Sequence, residues 1–335
     1  MKNFLKMGLA VTVVLSTGLA AGCSSESGTA ATSGANTEAA KLGKIVYIPG
    51  LTGNPFYSTV SCGAGTEAKK QGVEFTTQGA STFDVAKQTE IVNAVVAGNP
   101  GAIMISVTDP KAMIVPLAQA KAAGIKIIGI DGDLEDTGVM TTNIQSDGVQ
   151  GGMLAGEALA KLVGGKGSVM AIDNATGSLV SKARTDGFQQ AIAKYPDMKF
   201  LGIQYSKNET AKAASIASTT ATTNPDLVGI FTAETNNTEG AITGLREAGK
   251  TGKVRLVGYD TSEPIVKALR DKVLDGTVVQ YPYGEGVLGV QSAVAAMRGE
   301  PVERNQRADA VFATPENVDT PKVKQYIYDV NCSAS

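Results

Sequence analysis

The chain has 335 residues, a net charge of −2 and neither histidine nor tryptophan. Without histidine, His-based acid–base catalysis, catalytic triads and His-ligated metal sites are excluded. The near-neutral charge offers no electrostatic footprint for nucleic acid. The composition therefore predicts neither a metal nor a cofactor, and it leaves phenylalanine and tyrosine to supply any ring stacking.

The N-terminal segment has the order of an export signal. Residues 1–22 carry Lys2 and Lys6, then an apolar stretch that is too short and too often interrupted for a spanning helix, then small residues. The Ala-Ala-Gly-Cys motif that ends at Cys23 resembles the lipobox of bacterial lipoproteins, which implies a lipid on Cys23; an incidental cysteine behind a plain signal is the alternative. Residues 23–43 continue as a polar, small-residue tether. We therefore expect an exported, membrane-anchored protein that faces the periplasm or the cell exterior.

The first element after the tether combines a strand, a loop and a helix. The apolar run 45–48 predicts a strand buried on both faces, and turn-forming residues follow. A helix is expected from Phe56 to about Lys70, with Gly72 at the position of its C-cap. Ligands of open α/β sheets bind outside the carboxyl ends of the strands. Asn54, Phe56 and Tyr57 stand at such an end, where they are suited to stack on and hydrogen-bond a small polar ligand.

Strand and helix patterns alternate along the rest of the chain. Further strand candidates are 73–77, 102–107, 125–130, 168–172, 199–204, 227–232, 254–259 and 277–281. Ala-rich helical stretches between them are 85–97, 111–123, 148–163, 180–194, 210–222, 238–248 and 285–298. This alternation predicts an α/β fold of parallel sheets with right-handed crossovers. The strand–loop–helix pattern recurs at 168–195, which predicts two similar lobes with a cleft between them.

Ordered motifs then resemble one family, the type I periplasmic sugar-binding proteins of the ribose/galactose-binding group, over roughly residues 44–330. The motifs are Asn54-Pro55-Phe56-Tyr57, Val107-Thr108-Asp109, Ile128-Gly129-Ile130-Asp131, Asn143-Ile144-Gln145-Ser146-Asp147 with Gly151-Gly152, Ala183-Arg184-Thr185-Asp186-Gly187-Phe188, Val257-Gly258-Tyr259-Asp260 and Val279-Gln280-Tyr281-Pro282. The resemblance implies two Rossmann-like lobes joined by a three-stranded hinge. It also implies a monomer that closes on a carbohydrate by hinge bending and docks on the permease of an ABC importer.

The family's three crossings between lobes map near residues 145, 280 and 305. They imply a first lobe of 44–145 plus 281–305, a second lobe of 146–280 plus 306–330, and a tail of 331–335. The ligand residues implied by the resemblance are Asn54, Phe56, Tyr57, Asp109, Asp131, Lys182, Arg184, Glu234, Asn236, Asp260 and Gln280. Two positions depart from the family: Gly132 stands where pentose binders commonly have arginine, and Glu234 aligns with an asparagine that Asn236 could replace.

Cysteine usage adds one expectation. With Cys23 assigned to the lipid, Cys62 and Cys332 remain, and an even pair in an exported protein predicts a disulfide. The bridge would fasten the C-terminal tail to the first helix of the first lobe. Two free thiols are the alternative.

Other functions and motifs compete with a solute receptor for an importer. The protein could instead receive a furanosyl quorum signal, act as a chemosensory sugar receptor, or use Asp131 and Asp260 as an acid–base pair on a glycoside. Residues 244–251 fit a phosphate-binding loop, but that stretch ends a predicted helix instead of opening one. Residues 284–289 fit GxGxxG, and we expect these glycines to permit close packing rather than to bind a dinucleotide.

Overall fold

The computed structural model describes residues 42–332, and these contain two six-stranded sheets flanked by helices. The predicted signal peptide, the predicted lipidation site at Cys23, the tether up to residue 41 and the last three residues of the tail lie outside this range. Within it, no helix has the length and apolar character needed to span a membrane.

Strands and helices alternate in chain order. The strands are β1 Ile45–Ile48, β2 Phe75–Thr77, β3 Ala102–Ile105, β4 Lys126–Ile130, β5 Thr142–Ser146, β6 Lys166–Asp173, β7 Asp197–Tyr205, β8 Leu227–Thr232, β9 Arg255–Tyr259, β10 Gly276–Gln280, β11 Asn305–Ala308 and β12 Ala310–Ala313. The helices are α1 Pro55–Gln71, α2 Val85–Ala97, α3 Ile114–Ala122, α4 Gly148–Leu162, α5 Leu179–Ile192, α6 Thr210–Thr223, α7 Thr235–Glu247, α8 Glu263–Arg270, α9 Pro282–Met297 and α10 Pro321–Lys324.

The two sheets have the same strand order. The first sheet runs β11-β5-β4-β3-β1-β2 and the second runs β12-β10-β9-β8-β6-β7, and every pairing is parallel except that of β10 with β12. We call each sheet with its packed helices the first and the second lobe. Since β1 and β6 hold equivalent positions in the two sheets, the repeat predicted at 168–195 corresponds to a true structural repeat.

The chain passes between the sheets at three places. β5 belongs to the first sheet, whereas α4 packs on β9 and β10 of the second; β10 belongs to the second sheet, whereas α9 packs on β3 and β4 of the first. The third passage lies between Ala308 and Ala310, a few residues beyond the expected position near 305. The reason is that Asn305–Ala308 still pairs with β5 in the first sheet.

Local sequence accounts for most element boundaries. Helix α1 begins where Asn54 accepts a hydrogen bond from Phe56 N at 2.9 Å, has Pro55 in its first turn, and ends at Gly72 in the left-handed conformation, with φ 68°. The sequence patterns missed β5, β11, β12, α8 and α10. The three strands have four or five residues each, and α8 and α10 have eight and four residues, so none of these elements carries a long periodic signal.

The glycines of 284–289 serve helix packing, as expected. A Cβ atom added to Gly286 of α9 would lie 2.1 Å from Val60 O of α1, and one added to Gly63 of α1 would lie 2.0 Å from Tyr283 O. The two helix backbones therefore touch at positions where a side chain does not fit. This contact fixes α9, which follows the second crossing, against the helix that begins at the cleft.

Cys62 and Cys332 form a disulfide, with their Cα atoms 5.1 Å apart. Cys62 lies on α1 of the first lobe. Between α10 and the bridge, Tyr328 donates its backbone N–H to Thr261 Oγ1 of the second lobe at 3.0 Å. The C-terminal segment therefore contacts both lobes.

Removal of the bridge is expected to lower stability markedly. The double variant Cys62→Ser/Cys332→Ser should lose about 2–5 kcal/mol of unfolding free energy, because the bridge closes a loop across 270 residues and restricts the unfolded chain. Denaturant titration of the wild type with and without reductant, beside the double variant, measures the loss. Coincident curves for all three would contradict the prediction.

Candidate ligand-binding cleft

A cleft lies where the carboxyl ends of the two sheets face each other. The lining residues are Asn54, Phe56, Tyr57, Phe83, Val107, Thr108, Pro110, Asp131, Gly132, Asp133, Asn174, Ser178, Leu179, Val180, Ser181, Arg184, Asn208, Glu234, Thr235 and Asp260. Both lobes contribute, which is the arrangement expected for a ligand that is gripped between them.

The first lobe supplies an aromatic wall. Phe56 and Tyr57 open α1 with their ring centroids 5.4 Å apart in an edge-to-face arrangement, and Phe83 joins them from the loop before α2. Burial raises the pKa of the Tyr57 hydroxyl far above its ordinary value, with Asp131 adding to the shift, so the group stays protonated. The wall can stack on the apolar face of a sugar ring and offer one hydroxyl at its edge.

Asp131 and Asp260 occupy equivalent positions in the two lobes. Each follows a strand, β4 or β9, with a positive φ of 43° and 70° respectively. Each donates its backbone N–H to the neighbouring strand, Asp131 to Ile144 O at 2.8 Å and Asp260 to Val278 O at 2.6 Å. Non-glycine residues in this conformation cost energy and concentrate at functional sites. The turn aims both carboxyl groups into the cleft.

An ion pair joins the two lobes across the cleft. Arg184 of α5 is 3% exposed and donates through Nη2 to Asp131 Oδ1 at 3.1 Å and Oδ2 at 3.0 Å. Its Nη1 donates to Ala233 O at 2.9 Å, and the guanidinium lies 4.2 Å from the centre of the Tyr259 ring. Burial raises the pKa of the Asp131 carboxyl, while the positive charge of Arg184 opposes that shift. A ligand between the lobes would contact both partners.

Asp260 is the centre of a buried hydrogen-bond network. Its Oδ1 accepts from Tyr328 Oη at 2.6 Å and from Gln280 Nε2 at 2.8 Å, and its Oδ2 accepts from the backbone and hydroxyl of Thr235 at 3.1 Å each. Four donors therefore converge on this one carboxyl group. Tyr328 belongs to the disulfide-bonded C-terminal segment, and its ring packs edge-on against Phe56 at 5.8 Å. The segment thereby links the carboxylate of one lobe to the aromatic wall of the other.

Glu234 begins α7 from the second lobe's side of the cleft. Its carboxyl oxygens accept backbone N–H bonds from Asn237 at 2.9 Å and Asn236 at 3.1 Å, the pattern of a helix cap. Burial, together with the nearby charge of Asp260, raises the pKa of Glu234 to about 8. Glu234 is therefore largely protonated at neutral pH and able to donate a hydrogen bond.

Four of the expected ligand residues do not line the cleft. The Asp109 carboxyl turns to its own loop and accepts from the backbone of Lys111 and Ala112, and Lys182 is 61% exposed and pairs with Asp186 on the same helix face. The structure does not bring these two side chains to the cleft: the Asp109 carboxyl is occupied by a local turn, and Lys182 lies on the solvent side of α5, two positions before the inward-facing Arg184.

Asn236 and Gln280 lie behind the residues that line the cleft and hydrogen-bond to them. Asn236 donates to the backbone carbonyl of Asn208 at 2.9 Å, and it is Asn208 that reaches the cleft. Gln280 is fully buried; it donates to Asp260, and its Oε1 accepts from Arg184 Nη2 at 3.1 Å and from the Ser146 hydroxyl. Ser146 ends β5 and Gln280 ends β10, so this contact sits at the first two crossings, in keeping with a hinge residue.

Several lining residues escaped the sequence analysis, among them Phe83, Asn174 and Asn208. Phe83 is the aromatic residue of a polar loop at the carboxyl end of β2, and Asn174 follows β6 as the Asn54 loop follows β1. The repeat at 168–195 contained the signal for Asn174. Asn208 follows β7 with φ 60°, and nothing in its local sequence marks it.

Comparison with known proteins identifies the family. The model of the family described as "Periplasmic binding protein domain" matches residues 45–301. The chain belongs to this family. As a periplasmic binding protein it is a non-catalytic receptor, so the predicted fold class and the absence of enzymatic function are confirmed at the level of the family.

Relatives and solved structures of this periplasmic binding protein carry sugar and polyol names. The ribose import binding protein of Escherichia coli is 28% identical over 265 residues, which cover 79% of this chain and 88% of the relative. The xylitol-binding protein of Mycolicibacterium smegmatis is 28% identical over 290 residues, 85% and 80% of the two chains. An ABC transporter solute-binding protein from Agrobacterium vitis, solved with α-D-tagatopyranose, has a TM-score of 0.83 and 32% identity, covering 85% and 99%.

Proposed function

We propose that this protein is the substrate-binding component of an ABC importer and that it captures a monosaccharide or related polyol between its lobes. The observation that carries the proposal is the cleft itself. An aromatic wall of one lobe faces a buried carboxylate network of the other, and Asp131 and Arg184 meet across the gap. Stacking on rings and charge-assisted hydrogen bonds to hydroxyl groups are the interactions that a sugar needs. The names of the relatives support the same class of ligand.

Binding proceeds by closure of the lobes. The lobes are connected through the three crossings and the Ser146–Gln280 contact, which lets them rotate about a common line while their sheets stay intact. The ligand favours the closed form only through the contacts that both lobes make with it at once, and Asp131 and Arg184 are placed to make such contacts. The closed form then presents a joint surface to the permease. We propose the lobe boundaries at the observed crossings for this motion.

We also propose export and anchoring through the N-terminal segment. The signal-like order of residues 1–22 and the lipobox-like motif before Cys23 support a lipid anchor, with the tether holding a monomeric receptor at the membrane surface. Radiolabelled lipid incorporation tests this: label is expected in the wild type and absent from Cys23→Ala. Equal labelling of both would remove the anchor from the proposal.

A ligand screen tests the binding function. The purified protein is heated with individual pentoses, hexoses, deoxysugars, polyols and furanosyl signals, and the midpoint of unfolding is measured. A ligand at 100 times its dissociation constant adds about 2.7 kcal/mol, a shift of a few degrees for a chain of this size. A hit from the sugar and polyol set supports the proposal, whereas silence across that set, or turnover of a glycoside, contradicts it.

A further inference from the structure

The charges that line the cleft are strongly unequal. Among the described lining residues, four carry carboxyl groups and one carries a cation; the acids are Asp131, Asp133, Glu234 and Asp260, and the cation is Arg184. Asp133 is partly exposed, whereas Asp131, Glu234 and Asp260 are buried or nearly so; when these three are ionised beside one arginine, two negative charges remain uncompensated in the buried part of the cleft. A buried excess of like charge is costly unless a group of opposite charge enters with the ligand.

The arginine that lines the cleft already has its partners within the protein. Its guanidinium forms the ion pair with Asp131 and also donates to Ala233 O and Gln280 Oε1. Asp260, in turn, receives four hydrogen bonds from neutral donors and has no cation of its own among the residues that contact it. The positive charge of Arg184 therefore compensates Asp131 and leaves the other acids of the cleft uncompensated.

Glu234, like Asp260, has no ion-pair partner among residues 42–332. It is 6% exposed, and its described donors are the two backbone N–H groups of α7 and, in the amide orientation that satisfies both ends of Asn208, the Asn208 side chain, which lies 2.9 and 3.0 Å from the two carboxyl oxygens. The titratable or charged groups that face it are Asp260, Arg184 and Tyr57. The aromatic faces of Phe56 and Tyr57 line the same cleft and attract a cation through their π-electrons.

We propose that the ligand is a hydroxylated molecule that carries a protonated amine, such as an amino sugar or amino polyol, and that Glu234 is the counter-ion of that amine. This inference rests on the proposed sugar or polyol function and narrows its ligand class. The hydroxyl groups of the ligand form hydrogen bonds with Asp131, Arg184 and Asn174, and its ammonium group lies between the Glu234 carboxylate and the aromatic wall.

The arrangement predicts release of a proton on binding. With a pKa of about 8, Glu234 is roughly nine-tenths protonated at pH 7 in the free protein. An ammonium group at the site favours the carboxylate and expels that proton, whereas a neutral sugar does not. The count of protons released distinguishes the two classes of ligand independently of affinity.

The test compares matched pairs of amine and neutral ligands by calorimetry. The pairs are N-methylglucamine against glucitol, and glucosamine, galactosamine and mannosamine against their parent hexoses. The best amine is expected to bind more tightly than its neutral partner. N-methylglucamine, whose amine is fully protonated at pH 7, should release close to one proton when buffers of different ionisation enthalpy are compared. Glu234→Gln should reduce the amine preference roughly 30-fold or more, the effect of removing one partner of a buried charge pair.

The charge-matched control is Glu157→Gln, which removes an exposed carboxyl of α4 that pairs with Lys194. It should leave both affinity and proton release unchanged. Neutral ligands that bind as well as or better than their amines, or an amine preference that survives in Glu234→Gln, would overturn the inference while leaving the proposed sugar function intact. If neither the amines nor the neutral ligands bind, both the inference and the proposed sugar function are overturned.

Discussion

Asp260→Ala is expected to abolish measurable sugar binding and to lower the free energy of unfolding by about 3–5 kcal/mol. The carboxylate accepts from Tyr328, Gln280 and both donors of Thr235, all of them buried. Its removal leaves these donors without an acceptor and takes a negative charge from the wall of the cleft. Calorimetric titration with the ligand found in the screen, and denaturant unfolding, measure the two losses.

Two further variants separate binding from stability. Asp275→Ala removes an acid that pairs with Arg255 at the amino-terminal ends of β9 and β10, away from the cleft. The variant should therefore lower the free energy of unfolding and leave binding intact. Tyr328→Phe removes one hydrogen-bond donor to Asp260 and should lower the free energy of unfolding by about 1 kcal/mol. Combined with Tyr328→Phe, Asp260→Ala should cost less than the sum of the single changes, because one orphaned donor has already been removed. Wild-type affinity in Asp260→Ala would remove this residue from the site.

Replacement of Glu285 should stabilise the protein and flatten its pH dependence. This residue of α9 is fully buried, and within residues 42–332 neither carboxyl oxygen has a hydrogen-bond partner. Burial raises its pKa well above the ordinary 4.5, and Asp131 adds to the shift. The unfolded chain therefore ionises first. Stability is expected to fall as pH rises above 4.5, by up to about 1.4 kcal/mol per pH unit, until the raised pKa is passed.

Glu285→Leu should remove this contribution and raise the free energy of unfolding at pH 7 by roughly 1–3 kcal/mol. The matched control is Glu67→Leu on α1, the helix that packs on α9. The Glu67 carboxylate accepts from Gln71 at 2.9 Å and Gln291 at 3.1 Å, so its replacement should destabilise. Denaturant unfolding between pH 4 and 8 compares the three proteins. A Glu285→Leu variant with the wild-type slope, or with lower stability at pH 7, would refute the expectation.

Local sequence was sufficient for the elements whose patterns are long. The boundaries of α2 were predicted to the residue, and those of α1 and β8 to within one residue, because caps and apolar runs are encoded in contiguous residues. Prediction failed for β11 and β12. Those strands are short and half exposed, and their conformation depends on β5 and β10, which lie more than a hundred and about thirty residues earlier in the chain.

The candidate site divides in the same way. Asn54, Phe56, Tyr57, Asp131, Arg184, Glu234 and Asp260 were predicted from motifs and all line the cleft. Asp109 belongs to one of the motifs and Lys182 directly precedes another, but both side chains point away from the cleft, since side-chain direction at a loop or a helix depends on the neighbours that pack against it. Phe83 and Asn208 were missed because only the folded sheets bring their loops to the cleft.

Local pattern and residue type were enough to predict the two-lobed α/β class, the family, the disulfide pair and the polar residues at the strand ends. Which charges face one another could not be predicted in this way. The ion pair of Arg184 with Asp131 and the hydrogen bonds of Gln280 and Tyr328 to Asp260 join residues that are distant in the chain. The charge balance of the cleft, on which the proposed ligand class rests, is therefore a property of the three-dimensional arrangement.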